Sequence, residues 1–470
     1  MASRVRAVIG NVILEWWDMI NLAHLFQANR GGIGFHFKTK LRMSNSGVEP
    51  RLDVTRLLQT QRLCHERERG FIRGALQGLA RSNANATFRS VFLLQRVNEN
   101  RICKCSDERD KIYAVLGMVD HVFPRYDNHV EDIFSDMTCW SMRHNPLLLV
   151  LSLVEEPSRR RLENLPSWVP DFSSDPCTSM FGFRDFYNAP GDHLSATIIT
   201  AVNIPTLTTP GALLDTIVTS IRLDPQIAGG VERVLSLCAH INQPYQKEQT
   251  RLEALWRTML ANCWVVNGSR TYPAPSSMAH SFQAWILSRV ILCKARPLYQ
   301  DAQDLFLALH GQFDKSGPIE VALKQACGTL EALVATNGVS PTGCSLEDIQ
   351  KLVHFGDGYK VVDAMGPTYP SPVLDNLLQR FAEYDEAFYS ATHERCLYMT
   401  RKGFIGLGPL STKPSDQVFT FKAARVPFVL RPVDPLGSFN LIGEAYVHGF
   451  MNGEFAAAGE FPGWTDVDLV

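Results

Sequence analysis

No apolar stretch of this chain approaches the ~20 residues that a membrane-spanning helix needs. The longest, "PLLLVLSLV" at 146–154, falls far short of it. An excess of either charge is also missing. With 46 Lys and Arg against 48 Asp and Glu, the formal charge is -2, which gives no electrostatic case for nucleic acid or an anionic membrane as an obligate partner. At the N-terminus Arg4 and Arg6 precede a short apolar run, but Glu15 interrupts it and no small-residue cleavage site follows. No secretory signal is read there, and a cytoplasmic location is expected. The 11 cysteines include no Cys-x-x-Cys pair, so reduced thiols are the better reading than disulfides. Also absent are Gly-x-Ser-x-Gly and the Gly-x-x-x-x-Gly-Lys-Ser/Thr phosphate loop. No catalytic residue, cofactor or metal is therefore expected.

What is present is an ordinary globular composition, 45% hydrophobic and 20% charged over 470 residues, enough for two or three cores. Residues 1–30 read as a helix, with Ile13, Trp16, Trp17 and Ile20 on one face. Further helices are expected over 53–80, 106–118 and 129–144, whereas "LLLVLSLV" suits helix and strand equally. Proline-rich "LPSWVPDFSSDP" crosses in extended form. A strand insert near 194–224 turns at Pro210-Gly211. Residues 229–335 read mostly as helices, a loop follows at 336–345, and helix resumes to about 390. Beyond it, short β-rich runs alternate with turns, as in a small antiparallel sheet or barrel. The expected class is α+β: a mostly helical body, a short strand insert and a small β-rich C-terminal module. The divisions fall at 1–125, 126–390 and 391–460.

One stretch carries conflicting signals: "RICKCSDERDKIYAVLG" at 101–117. Cys103 and Cys105 could offer two thiolates, but a closed zinc site needs four ligands in recognisable spacing. A capped amphipathic helix accounts for more. Ser106 is a good N-cap, Asp107 and Glu108 suit the first turn, and Ile112, Val115, Leu116 and Val119 make one stripe. Arg109 and Asp110 are left at its edge to tie neighbouring segments together.

The order of those charges resembles the signature of fungal heterokaryon-incompatibility proteins, whose landmark is an R-D-K-I/V-Y-A-L-L-G helix. Arg109, Asp110, Lys111, Tyr113 and Gly117 carry that likeness. "YDNHVEDIFSDMTCW" is similar to the family's next helix, and "LPSWVPDFS", with Trp168, Pro170 and Asp171, to its "LPSWVPDWS". "TRKGFIGLGP" and "LIGEAYVHGFMNGE" look like its C-terminal module through Gly406, Gly408, Pro409, Gly443, Glu444, Tyr446, His448, Gly449, Gly453 and Glu454. Missing are "Y-x-A-L-S-Y-x-W-G", "I-D-x-x-C-I-N-Q" and "R-x-W-x-x-Q-E". The first thirty residues resemble the helix that follows the last of these. The likeness implies a family member without the N-terminal part of its HET domain, the part compared with Toll/interleukin-receptor-like folds and with triggering of cell death.

Residue by residue, bland readings compete with sharper ones. Glu444, Tyr446 and His448 would share a strand face and could begin a metal site with Glu454. A strand followed by a tight turn at Asn452-Gly453 explains the same residues as packing. Gly403, Gly406 and Gly408 fit a hairpin between 397–400 and a strand near 418 better than a phosphate loop. Trp168, between two prolines, reads as an aromatic anchor for the crossing segment.

The resemblance implies a non-enzymatic protein of non-self recognition and programmed cell death, expected as a truncated regulator, a decoy or an inactive relic. The alternative is a small-molecule enzyme of a fungal pathway. NAD cleavage, known for some Toll/interleukin-receptor-like folds, would need a nucleotide pocket that this chain lacks. Protein partners or self-association are expected, because Trp16, Trp17 and Phe26 would leave an apolar patch in residues 1–40.

Overall fold

A computed structural model describes residues 6–9, 12–15, 84–116, 125–145, 147–194, 201–223, 245, 249–266, 269–282, 285, 372–433, 437–457 and 461–470. The chain divides into two compact units, 1–86 and 87–470. In the first, β1 (Arg6–Ile9) pairs antiparallel with β2 (Val12–Glu15), Ile9 opposite Val12. The helix expected over 1–30 is thus corrected at these residues. Gly10-Asn11 between two β-branched runs is the sequence of a two-residue hairpin connection, and it outweighs the helical spacing around it. Trp16, Trp17, Ile20, Phe26 and the helix expected over 53–80 lie outside the described residues.

The helix α1 (Ala84–Asn100) begins at the boundary and runs into the second unit, which also holds α2 (Asp110–Leu116), α3 (Val130–His144), α4 (Arg251–Met259), α5 (Pro372–Thr392) and α6 (Glu454–Ala457). As expected, α2 buries Ile112, Val115 and Leu116. It begins four residues past Ser106, however. The Asp107 carboxylate, not the Ser106 hydroxyl, takes up the Arg109 N–H at 3.0 Å. Residues Leu149–Leu153 settle the helix-or-strand ambiguity as a 3-10 helix, fully buried. Among the described residues helix and strand are too nearly balanced to bear out a mostly helical body.

The balance shifts because the strand insert belongs to the C-terminal strands. β3 (Ala201–Asn203) and the long β4 (Thr206–Arg222) join β7 (Arg395–Thr400), β8 (Ile405–Pro409), β9 (Gln417–Phe421), β10 (Phe428–Val433), β11 (Ser438–Glu444), β12 (Tyr446–Val447) and β13 (Thr465–Leu469) in one nine-stranded sheet. A separate hairpin pairs β5 (Trp264–Val266) with β6 (Ser269–Thr271). The ring β4–β9–β10–β11–β13–β4 closes into a barrel, and closure removes its free edges. The far half of β4 leaves the ring to pair with β7, followed by β8 and β12. Pro210 and Gly211 lie inside β4 and do not turn the chain. β3 reaches only to Thr208 and β9 starts at Gly211, so on that edge of β4 no strand pairs with Pro210, while β13 pairs with it on the other.

Successive barrel residues enter two different cores. Val418, Val429 and Ile442 join Ala212, Leu214 and Ile217 in one. Phe419, Phe428, Leu430 and Leu441 join the larger core with Leu93, Phe134, Leu151 and Leu255 from the helices. Both faces of these strands are covered, hence their near-continuous apolar sequences.

Candidate functional site

The charged turn ahead of α2 makes a clasp. Arg109 pairs with Asp107 at 2.7 Å and donates to the Asn128 carbonyl at 2.9 Å and to that of Tyr126. Tyr126 donates back through its hydroxyl to Asp110 Oδ1 at 2.6 Å, and its ring meets Tyr113 edge-on at 5.1 Å. Tyr113 also donates to the Arg125 carbonyl at 2.7 Å. Lys111 is buried, and its ammonium donates to the carbonyls of Arg101 (2.9 Å) and Cys103, just past the end of α1. A cation at a helix C-terminus satisfies carbonyls that lack helical partners. Gly117 lies outside the described residues.

The "LPSWVPD" segment seals the barrel. β11 and β13 run parallel for only two residue pairs, Ser438 with Asp468 and Phe439 with Leu469. Beyond them Ser167 takes over: its hydroxyl accepts the Leu441 N–H at 2.9 Å, and its N–H donates to the Val470 carbonyl at 3.0 Å. The adjacent Trp168 is fully buried and donates through Nε1 to the Pro205 carbonyl at 2.7 Å, in the β3–β4 connection. Pro170 is buried beside it. Asp171 accepts the N–H groups of Arg161 (2.7 Å), Leu162 (3.1 Å) and Ser173 (2.9 Å). Burial pushes its carboxyl up, but these bonds outweigh it and hold the group below the usual carboxylate range. Arg160 spends its guanidinium on the carbonyls of Leu165, Pro166 and Ser167.

Glu444 and Arg395 form the centre. Their 2.7 Å ion pair is buried, and Glu444 also accepts the N–H groups of Phe181 (2.6 Å) and Gly182 (2.9 Å). Arg395 donates to the carbonyls of Ala391 and Ser179 and lies 3.8 Å over the Phe181 ring. Burial lowers the Arg395 pKa, against the opposing pull of Glu444. Glu155 repeats the device a short way off, accepting from Cys177 and Thr178 while paired with Arg101 at 3.1 Å. Residues 177–191 lack helix or strand apart from a 3-10 turn at Gly191–His193, so these carboxylates supply the acceptors that a sheet would have provided.

Glu444, Tyr446 and His448, expected on one face, divide their hydrogen bonds between two sets of partners. Glu444 turns to Arg395, whereas Tyr446 and His448 meet each other, hydroxyl to Nδ1 at 2.9 Å. His448 Nε2 faces Gln249 Oε1 at 2.9 Å, which leaves Nε2 the donor and Nδ1 the acceptor of a neutral ring. Burial, with Arg257 nearby, lowers its pKa to about 3. Gly406 and Gly408 lie within β8, which is the hairpin partner of 395–400 in place of the strand near 418. A methyl on Gly406 would strike the Tyr398 ring and the Tyr446 carbonyl. The Pro409 carbonyl accepts from the Cys396 thiol at 3.1 Å. Gly443, at φ 151°, leaves no room for a side chain beside Pro409. Gly449 and Gly453 also have positive φ, and Glu454 accepts the Asn452 N–H at 2.6 Å.

As chemistry, the site is occupied by itself. No group of three His, Cys, Asp or Glu that could hold a metal occurs among the described residues. Burial pushes the thiols of Cys177 and Cys396 up to about 12, far from nucleophilic use at neutral pH. A cleft lined by Arg101, Glu155, Glu156, Asp171 and Ser174 has a cavity volume of only about 10 Å³, and those charged side chains are already bonded to the chain. Sequence reading missed Arg395, Phe181, Ser167, Glu155 and Gln249. None sits in a motif of its own. Arg395 stands out only as a cation opening an apolar strand, "RCLYMT".

Residues 374–462 match the Het-6 beta-barrel domain family, a span that contains Arg395, Glu444 and His448. A stretch of 65 residues is 42% identical to heterokaryon incompatibility protein 6, OR allele, of Neurospora crassa. It covers 13% of this chain and 10% of that protein, so only a small part of the relative's length is matched. No solved structure matches the chain. No helix among the described residues is long and apolar enough to cross a membrane.

Proposed function

We propose that this chain, whose residues 374–462 match the Het-6 beta-barrel domain family and which shares a 65-residue stretch with a heterokaryon-incompatibility protein, is a member of the heterokaryon-incompatibility family that acts in fungal non-self recognition by binding protein, not as an enzyme. The carrying observation is the barrel match, whose span includes the Arg395–Glu444 pair. The spent state of the site's charged groups supports recognition over turnover. A buried carboxylate already holding two N–H groups and a guanidinium is fixed by its own chain and turned away from any reacting atom. The downstream outcome in this reading is programmed death of fused cells.

The test is genetic. The gene is deleted from, and separately overexpressed in, a fungal strain that carries it. Each strain is then forced into heterokaryons with strains of differing incompatibility genotype. The fraction of dying fusion compartments should change in at least one pairing, and Arg395→Met should reproduce the deletion. Unchanged viability in every pairing, with the protein detected in the cells, would sink the reading.

A further inference from the structure

Two turns flank β4 where it leaves the barrel. On one side lies the β7–β8 tip, whose Arg401 N–H donates to the Thr216 carbonyl at 2.8 Å. Its Lys402 N–H donates to Asp215 Oδ2 at 2.7 Å. On the other side runs the turn before β9. Ser415 N–H donates to the Ile217 carbonyl at 2.9 Å, and Ile217 N–H to the Asp416 carbonyl at 2.8 Å. Neighbouring strands lie ~4.8 Å apart, so the two turns stand about 10 Å apart across β4.

Between them the β4–β7 register slips between Ile217 and Thr219. The extra residue is Val218, and it is 42% exposed. A bulge re-aims a side chain in this way.

The charge of this surface is one-sided. Arg401, Lys402 and Lys413 are all exposed. Arg401 and Lys413 make no side-chain hydrogen bond or ion pair among the described residues. The two carboxylates nearby are turned inward and occupied. Asp215 holds the N–H groups of Thr216 and Lys402. Asp416 holds Arg431 at 2.8 Å and the Lys413 N–H at 2.9 Å. No carboxylate occurs in β4 from Thr216 to Arg222 or in residues 401–404. On a chain of formal charge -2, three exposed cations around an apolar side chain form a local departure from the whole.

We propose that this surface docks an acidic segment of a partner protein, with carboxylates on Arg401 and Lys413 and an apolar side chain against Val218. Charge complementarity selects an anion, and the valine between the cations selects a peptide over a phosphate backbone, which has no apolar group at that spacing. The proposal goes beyond the role in non-self recognition and does not depend on it.

The test uses the full chain and a fluorescein-labelled peptide, Asp-Glu-Asp-Ile-Glu-Asp-Glu, followed by anisotropy at low and at physiological salt. Saturable binding that weakens with salt is expected. The double variant Arg401→Glu/Lys413→Glu should weaken it about tenfold or more, and Val218→Ser by a smaller factor of roughly three. All three substitutions are at exposed positions, and an unchanged circular dichroism spectrum confirms folding. A labelled oligothymidylate of equal charge serves as the rival ligand. No saturable peptide binding, equal binding by the charge-reversed variant, or oligothymidylate binding as tight as the peptide's would each overturn the proposal.

Discussion

Arg395 and Glu444 are 2% and 4% exposed and 2.7 Å apart, so neither can be removed singly without leaving the other charge buried. Arg395→Met should cost ~3–5 kcal/mol, and Glu444→Gln somewhat less because the amide still accepts a hydrogen bond. Urea unfolding of both singles and the double variant measures this, and independent, additive effects would show that the pair does not act as a unit. His448 gives a second prediction at this scale. Its folded pKa is lowered from 6.5 to about 3, so below pH 6.5 the unfolded state binds a proton that the folded state refuses. Stability is therefore fully present above pH 6.5 and falls with decreasing pH, by up to about 1.4 kcal/mol per pH unit. Unfolding midpoints between pH 7 and 5 should slope more steeply for the wild type than for His448→Gln. Parallel slopes would mean that the imidazole is not held neutral.

At the scale of elements, α2 has seven residues and cannot hold itself in water. It is fixed by the apolar stripe underneath, by Lys111 beneath the end of α1 and by the Arg109–Tyr126 clasp on top. Leu116→Ala should cost ~2–5 kcal/mol, read from thermal or urea unfolding, since Leu116 is buried in the larger core. A loss below ~1 kcal/mol would mean that α2 lies on the core without being part of it. The crossing of Gly191 and Gly453 shows the same dependence on a neighbour. Both have positive φ, and a methyl on Gly453 would lie 2.6 Å from the Gly191 Cα.

For the whole molecule the decisive event is barrel closure, which rests on a strand far along the chain. β13 pairs antiparallel with β4 over Thr465–Leu469 and parallel with β11 over two residues. Removing residues 464–470 should expose the edges of both neighbours and strip the Ser167 N–H of its Val470 acceptor. The shortened chain should be aggregated or lack a cooperative transition, because open apolar edges recruit other chains. A soluble monomer with an unchanged melting curve would show that the ring closes without β13.

The sequence by itself determined the elements whose signals are local. The stripe of Ile112, Val115 and Leu116 fixed a buried helix, the two prolines around Trp168 fixed an anchored crossing, and the spaced turns after 395 fixed short strands. Its family resemblance, carried by "RDKIYAVLG", "LPSWVPD" and "GEAYVHG", also stood without the structure. Where local signals compete, it misled: Gly10-Asn11 made a hairpin of apparent helix, and Pro210-Gly211 lay within a strand. Only the tertiary structure decided that β4 completes the barrel. It also decided that Glu444 serves Phe181 and Arg395, and that Ser167 closes the β11–β13 seam. These are pairings between residues tens to hundreds of positions apart, and a buried charge or hydroxyl carries no mark in the sequence of which distant N–H it will satisfy.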